Sequence, residues 1–387
     1  MESNIRTKLR KAENPAVTAV VPCLNETDHI ETCLRSILEQ EEPPGGFEIV
    51  VTDGMSNDGT REILKRMAAG NPRLRMVDNP LRTTPCGMNL GIRAARGEWL
   101  AIMGSHNRYA PDYLRRCLET AQATGADNVG GAMFSEGDTL VQRAIAAAHH
   151  SRVSVGGARW HNPDYEGPAD TVFGGFYKRV VFERIGLFDE ELVRNQDDEL
   201  NLRLTRAGGK IWQSPRIRSW YHPRNSLSAL FRQYEQYGYW KVRVIQKHKL
   251  PASWRHLVPG AFLLTLVTLF LLSAFSFILS ALAPNSQLSA LRIPISIFSF
   301  QVSAFSFSFL ATLCSYLLAV VAASLHTAWQ TEWKLLPVLP AVFACYHFGY
   351  GYGFLRGIWD FIVRRKGPGR RFMGLTRTVS QPDSPTG

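Results

Sequence analysis

Two groups of polar residues in this chain have the types and spacing to do chemistry. The first is the run Asn195-Gln196-Asp197-Asp198-Glu199-Leu200-Asn201-Leu202-Arg203. Asp197 stands at the start of a helical pattern, where the positive end of a helix dipole helps keep a carboxylate ionised. An ionised carboxylate in that place can act as general base toward a hydroxyl. It can equally cap the helix. Arg203 lies on the Glu199 face of the same helix, placed to tie that carboxylate. The second group follows two apolar runs, Val17–Val21 and Phe47–Val51. Pro22, Asn25 and Glu26 close the first; Thr52, Asp53 and Gly54 close the second, with Ser56, Asp58, Gly59 and Thr60 behind them. In open α/β sheets a ligand sits at such strand ends. Asp53 can accept a hydrogen bond from a ligand there, or stabilise a turn as Asp-Gly pairs commonly do. The first strand runs into Pro22-Cys23-Leu24-Asn25 and not into a glycine-rich phosphate turn, which excludes a nicotinamide-binding dehydrogenase.

The elements that must hold these groups can be read from periodicity. Ile30, Cys33, Leu34, Ile37 and Leu38 recur at helical spacing after a cap near Thr27 or Asp28. Pro43-Pro44-Gly45-Gly46 ends that unit. A second helix after Asp58-Gly59 uses Ile63, Leu64 and Met67, and a third covers about Cys86 to Ala95. Trp99 to Met103 reads as a buried strand that ends in Gly104-Ser105-His106-Asn107, and Pro111 opens the next helix. A helix from about Asp198 stops at Gly208-Gly209, and short strands at Lys210–Trp212 and Ile217–Tyr221 complete the domain. Alternating strands and helices imply a mainly parallel sheet.

The chain has 387 residues and a formal net charge of +11. A basic balance points to nucleic acid, an anionic membrane surface or an anionic substrate. Zinc-finger spacing, aromatic RNA-binding strands and helix-turn-helix cues are missing, so nucleic acid is not an expected partner. The six cysteines form no CxxC pair, which fits packed thiols in a reducing compartment. Leu227 to Lys249 interleaves Tyr234, Tyr237, Tyr239 and Trp240 with Lys241, Arg243, Lys247 and Lys249. Such a mixture suits the level of lipid headgroups. Long uncharged runs follow, and the basic flanks Lys241–His256 and Arg364–Arg371 both belong on the cytoplasmic side. Two crossings satisfy that rule and three do not.

The order and spacing of the strand-end segments resemble family 2 glycosyltransferases of the GT-A (nucleotide-sugar) fold. Asn79-Pro80, Gly87, Asn89 and Gly91, Gly97-Glu98-Trp99, Asp127 to Gly131, Asp170-Thr171-Val172, the 195–203 run and the segment from Arg232-Gln233-Tyr234 to Lys241 all fit. Over roughly residues 15–260 the pattern is similar to the succinoglycan-biosynthesis glucosyltransferase subgroup. The resemblance implies that Asp53 holds the uracil imide and that Pro22, Asn25 and Glu26 line the nucleotide crevice, although Leu24 stands where an aromatic is frequent. It places Ser105 and His106 at the fourth strand end, where an Asp-x-Asp or Asp-Ala-His motif meets ribose and a divalent ion. Here Gly104-Ser105-His106 lacks the first carboxylate. His106 and His222 could then hold a softer ion such as Mn²⁺, with Mg²⁺ the usual alternative. Otherwise Arg224, Arg232, Lys241 and Arg243 would offset the diphosphate charge. Asp197 becomes the general base, in a pair where Gln196 replaces glutamate. Gln196, Glu199, Arg203, Arg232, Gln236, Trp240 and Lys241 fall to the acceptor or diphosphate. In Gln236-Tyr237-Gly238-Tyr239-Trp240, Tyr239 stands where the Gln-x-x-Arg-Trp motif has arginine, which favours adding one sugar over processive polymerisation.

The expected organisation is a basic tail at 1–14, a cytoplasmic α/β GT-A domain at 15–226 with a Rossmann-like mixed sheet, an interfacial segment at 227–257, a membrane region at 258–366 and a polar tail at 367–387. Spans are expected at about 259–283 and 305–325, with 335–356 spanning or re-entrant. The expected activity is inverting transfer of a hexose, glucose foremost, from a UDP-sugar to a polyprenyl-diphosphate-linked saccharide at the inner membrane, alongside other polysaccharide-assembly proteins. The competing expectation is a non-catalytic scaffold in such an assembly.

Overall fold

The computed structural model describes residues 14–157, 159–251, 253–282 and 295–374. Of the tails expected at 1–14 and 367–387, residues 1–13 and 375–387 lie outside the described residues. Two compact units emerge, one of residues up to Arg224 joined by those from Arg370, the other Asn225–Gly369.

The first unit is built on β1 (Val17–Cys23), β2 (Phe47–Asp53), β3 (Leu74–Asp78) and β4 (Trp99–Ile102), all mutually parallel where they pair. The sheet continues through β9 (Phe173–Lys178), β6 (Asn128–Gly131), β10 (Ile211–Gln213) and β8 (Gly167–Pro168), in the order β3-β2-β1-β4-β9-β6-β10-β8. β9 runs antiparallel to both β4 and β6, so the sheet is mixed, as the resemblance implies, while the ladders among β1–β4 and between β6 and β10 are parallel, as strand–helix alternation implies. A smaller sheet joins β5 (Asn107–Tyr109), β11 (Ser219–Tyr221) and β7 (Met133–Ser135).

Both faces of the main sheet are covered, which is why β1 and β2 read as continuous apolar runs. Val17, Ala19 and Val21 pack with Ile30, Leu34 and Ile37 of the Ile30–Leu38 helix and with Leu114 and Cys117 of Tyr113–Thr124. Val20, Leu100 and Ile102 face Ile92, Leu200 and Leu204 on the other side. Burial pushes the Cys23, Cys33 and Cys117 thiols up, Cys23 further through the nearby Asp53 carboxylate, so they are packed and unreactive.

The second unit begins with the helix Leu227–His248, capped by Ser226, whose hydroxyl accepts from the Ala229 N–H at 3.3 Å. Among the described residues, two helices are long and apolar enough to cross a membrane, Trp254–Ile278 and Ala304–Gln330. They run antiparallel: Ser273 bonds Ser306 at 2.6 Å, and the rings of Phe262 and Tyr316 lie 4.9 Å apart. The third apolar segment is the helix Leu339–Gly357. It lays a stripe of glycines on the Leu227–His248 helix. A Cβ on Gly349 would sit 2.9 Å from the Phe231 carbonyl oxygen, one on Gly353 1.9 Å from that of Glu235, and one on Gly357 2.8 Å from that of Tyr239. From the opposite helix, Gly238 meets the Tyr350 carbonyl oxygen in the same way at 2.0 Å. Of the aromatic residues expected to anchor the interfacial segment, Tyr239 and Trp240 pack internally, fully buried with Phe361 4.8 Å and 6.2 Å away, whereas Tyr234 and Tyr237 are half-buried.

Candidate active site

The carboxyl ends of β1 and β2 are clamped together by side chain to backbone bonds. Asn25 adopts φ 53°, a left-handed turn that asparagine tolerates. Its N–H donates to Ser56 Oγ at 2.9 Å, and its Oδ1 accepts from the Asn57 N–H at 3.0 Å. The Glu26 N–H donates to Thr60 Oγ1 at 2.8 Å, and that of Thr27 to Asp58 at 3.2 Å. The polar residues after each strand thus form one crevice wall, with Pro22 paired to Thr52 in the ladder beneath it.

Asp53 lies beneath this wall with its side chain 0% exposed. Arg61 donates to Oδ2 at 2.5 Å, and the Ser56 N–H reaches both oxygens at 3.3 Å. Arg61 also holds Asp78 at 2.6 Å. A base that reached the Asp53 carboxylate would have to displace Arg61. No sequence signal pointed to Arg61, which stands eight residues past Asp53 on a different element.

β4 leads into Gly104-Ser105-His106, with Ser105 buried. His106 Nδ1 lies 3.1 Å from Glu26 Oε1, and its ring meets Tyr221 edge-on at 5.6 Å. β11 pairs Tyr221 with Asn107, so His222 and His106 occupy the next rung of that ladder. The His222 ring stacks on His29 at 6.1 Å. The structure therefore gathers Glu26, His29, His106 and His222 at one strand end. One carboxylate and imidazoles suit a divalent ion of the Mn²⁺ type. Their donor atoms are adjacent without converging: among the described residues no three His, Cys, Asp or Glu side chains form a group able to hold a metal.

The acceptor-side run forms the helix Gln196–Arg206, two residues earlier than expected. Asn195 occupies the cap position in a left-handed conformation and makes no side-chain cap bond. Asp197 is thus the second residue of the first turn, not the cap. It is exposed, and its Oδ1 accepts from the Asp198 N–H at 2.9 Å. The helix leads into β10, so its C-terminal end sits at the amino ends of the strands and Asp197 faces the ligand-binding edge. Beneath it, Asn201 accepts from Asn128 and Tyr177 and donates to Thr171 at 2.8 Å, a sealed polar layer that fixes the helix. Burial, then the Asp197 charge, holds the Tyr177 hydroxyl protonated far above its usual range.

Glu199 and Arg203 form a bidentate pair with both contacts at 2.8 Å. Arg203 also donates to the carbonyl oxygens of Ile185 and Leu187. This arrangement makes the pair a scaffold for the helix, whereas the resemblance had assigned both to acceptor or diphosphate. Arg232, Gln236, Trp240 and Lys241 lie on the Leu227–His248 helix of the second unit. Gln236, Trp240 and Lys241 are buried there. Tyr239, in the arginine position of the motif, donates to Asp360 at 3.2 Å.

A family profile described as "Glycosyl transferase family 2" matches residues 18–186. The chain is 35% identical over 244 residues to the succinoglycan biosynthesis protein ExoA of Rhizobium meliloti, covering 62% of this chain and 74% of that one. This chain belongs to glycosyl transferase family 2. It is a glycosyltransferase with the GT-A-like mixed sheet of that family. A dolichyl N-acetyl-alpha-D-glucosaminyl phosphate glycosyltransferase of Methanococcus voltae is 24% identical over 349 residues, covering 88% of this chain and 97% of that one. A mannosyltransferase from Pyrobaculum calidifontis, solved with GDP-Man and Mn²⁺, shares the fold with a TM-score of 0.52 at 19% identity, over 89% of this chain and 88% of that one.

Proposed function

We propose that this family 2 glycosyltransferase moves a hexose, glucose foremost, from a UDP-sugar onto a polyprenyl-diphosphate-linked saccharide, with inversion, at the cytoplasmic face of the inner membrane. The observation that carries the reading is the exposed Asp197 carboxylate in the first turn of a helix aimed at the ligand-binding edge. The acceptor hydroxyl gives its proton to Asp197 as its oxygen attacks the anomeric carbon in line. The bond from that carbon to the diphosphate breaks, and UDP leaves with the electron pair. The crevice wall of Pro22, Asn25 and the Ser56–Thr60 loop supports the nucleotide, with Asp53 behind it. His106 and His222 flank the diphosphate. A divalent cation bound there would neutralise leaving-group charge; without one, Arg224 is the candidate cationic side chain of this unit.

The lipid-linked acceptor is supported by the two apolar helices and by the activities of the relatives, one in succinoglycan biosynthesis and one on a dolichyl-linked sugar phosphate. Both basic flanks of the spans belong on one side, which supports two crossings with the sheet domain in the cytoplasm. The test is transfer of radiolabelled hexose from UDP- and GDP-sugars to a lipid-linked acceptor fraction by the full chain in nanodiscs. UDP-hexose should be the productive donor. Asp197→Asn should lose at least about a hundredfold in turnover and keep nucleotide affinity; retention of more than a few per cent of wild-type turnover refutes the base assignment.

A further inference from the structure

The carboxyl end of β2 presents a cation to the crevice, not a carboxylate. Both Asp53 oxygens are already occupied. Oδ1 accepts from the Ser56 N–H at 3.3 Å and from the Cys23 thiol at 3.9 Å. Oδ2 accepts from the same N–H at 3.3 Å and from Arg61 at 2.5 Å. Those contacts fill the acceptor sites of a carboxylate. The Asp53 side chain is 0% exposed, whereas that of Arg61 is 20% exposed. Asp53, Asp78 and the Met55 sulfur, the last at 3.7 Å, take at most three of the five guanidinium N–H groups. Among the described residues the others have no acceptor. Met55 beside it holds φ 56°, a left-handed conformation uncommon for any residue but glycine. Arg82, itself at φ 59°, donates to the Met55 carbonyl oxygen at 2.9 Å, and the Met55 side chain stays 39% exposed. Such strain persists only where the surroundings impose it, and it gathers at ligand clamps.

We propose that Arg61 determines base specificity at the donor site: its guanidinium donates to the 4-keto oxygen of a pyrimidine that lies against Met55, while Asp53 and Asp78 position the guanidinium. This rests on the nucleotide-sugar reading above and changes the group that reads the base, a task the resemblance gave to the Asp53 carboxylate. A guanidinium donates and never accepts. It therefore favours a keto edge and opposes the amino group that cytosine carries at the same carbon, where donor would face donor. The 2-keto oxygen adjoins the glycosidic bond, so the 4-keto oxygen leads when the ring enters with its ribose outward. The base N3–H is left to water, because neither Asp53 oxygen is open to it. The Met55 thioether gives the ring face a soft apolar contact.

The experiment is calorimetry of the full-length protein in nanodiscs with UDP, CDP, N3-methyl-UDP and 4-thio-UDP under one buffer condition. Wild type should bind N3-methyl-UDP as tightly as UDP. It should bind 4-thio-UDP and CDP at least about tenfold more weakly, the scale of one hydrogen bond to a charged group. Weak binding of N3-methyl-UDP returns the base to Asp53 and overturns the proposal, as does equal affinity for UDP, CDP and 4-thio-UDP. Arg61→Lys keeps a positive charge over Asp53 without the planar fork. Its melting temperature checks that it folds, and its preference for UDP over CDP should disappear; a preference equal to wild type overturns the role of Arg61. Met55→Gly adopts the left-handed conformation freely. Its melting temperature should hold or rise while affinity for UDP and CDP alike falls about threefold, within the range of a sulfur–ring contact. Unchanged affinity removes Met55 from the site. Failure of the wild type to bind any nucleotide defeats the donor reading itself, and this inference with it.

Discussion

The Arg61 guanidinium closes over the Asp53 carboxylate at 2.5 Å and reaches Asp78 with its other nitrogen at 2.6 Å. Asp53 is fully covered and Arg61 is 20% exposed, so removing the cation strands a buried anion. Arg61→Ala should cost about 3 kcal/mol, the scale for breaking one side of a buried pair. Adding Asp53→Asn should recover most of that loss. Urea unfolding of the two variants checks this; additive losses in the double variant would mean that the pair is not coupled.

Restoring the family carboxylate should harm the enzyme. Gly104→Asp forces a side chain against the Asn107 amide and should cost about 1–3 kcal/mol, as overpacking in a filled site does. Combining it with Asn107→Ala opens that space and should regain stability. Thermal melting of the single and double variants reads the difference. A single variant as stable as wild type would show that Asn107 moves freely.

The glycine stripe of the second unit admits no side chain. Gly353→Ala would place a methyl 1.9 Å from the Glu235 carbonyl oxygen, a backbone atom that can yield only if the helices separate. The expected loss is about 3 kcal/mol, the upper end of ordinary overpacking. Gly367→Ala, with nothing within 4 Å, should be neutral. Yield and monodispersity in detergent, with melting temperature, distinguish the two.

One histidine makes the first unit acid-sensitive. Burial, helped by neighbouring His150, pushes the His149 imidazole down to about 3 from an ordinary 6.5, and the His161 ring packs 4.4 Å away. The unfolded chain then binds the extra proton first, so stability contributed by neutral His149 is complete above about pH 6.5 and is lost as pH falls toward 3. The slope is at most about 1.4 kcal/mol per pH unit for one proton. Urea midpoints at pH 7.5, 6 and 4.5 should fall in that order, and His149→Gln should flatten the series.

β1, β2 and β4 were legible because strands buried on both faces must be apolar throughout, and the helices between them because one stripe faces the sheet. β9 was not. Gly174 and Gly175 interrupt its alternation at positive φ, and its antiparallel place is set by partners more than forty residues away on either strand. The same limit applies at the site. The strand-end positions of Asn25, Glu26, Asp53 and His106 followed from local pattern. That Glu26 meets His106, and that Arg61 covers Asp53, depends on side-chain directions across elements, which spacing does not encode. Nothing in the sequence assigned a role to the glycines of 349–357; their purpose appears only beside the helix that begins at Leu227.

β9 also governs the order in which the nascent chain can fold. Among the described residues it alone joins β4 to β6 in the main sheet, so the β3-β2-β1-β4 half waits for residue 178 to leave the ribosome before β6 can join it, and β10 with β8 completes the sheet only after residue 213. Trp99 to Ile102 meanwhile presents an unpaired apolar edge, the kind of surface that chaperones cover and aggregates exploit. At about 5–20 residues per second, that edge stays open for seconds after its own synthesis. The first helix long and apolar enough to cross a membrane, beginning at Trp254, emerges only after every strand of the sheet has been made.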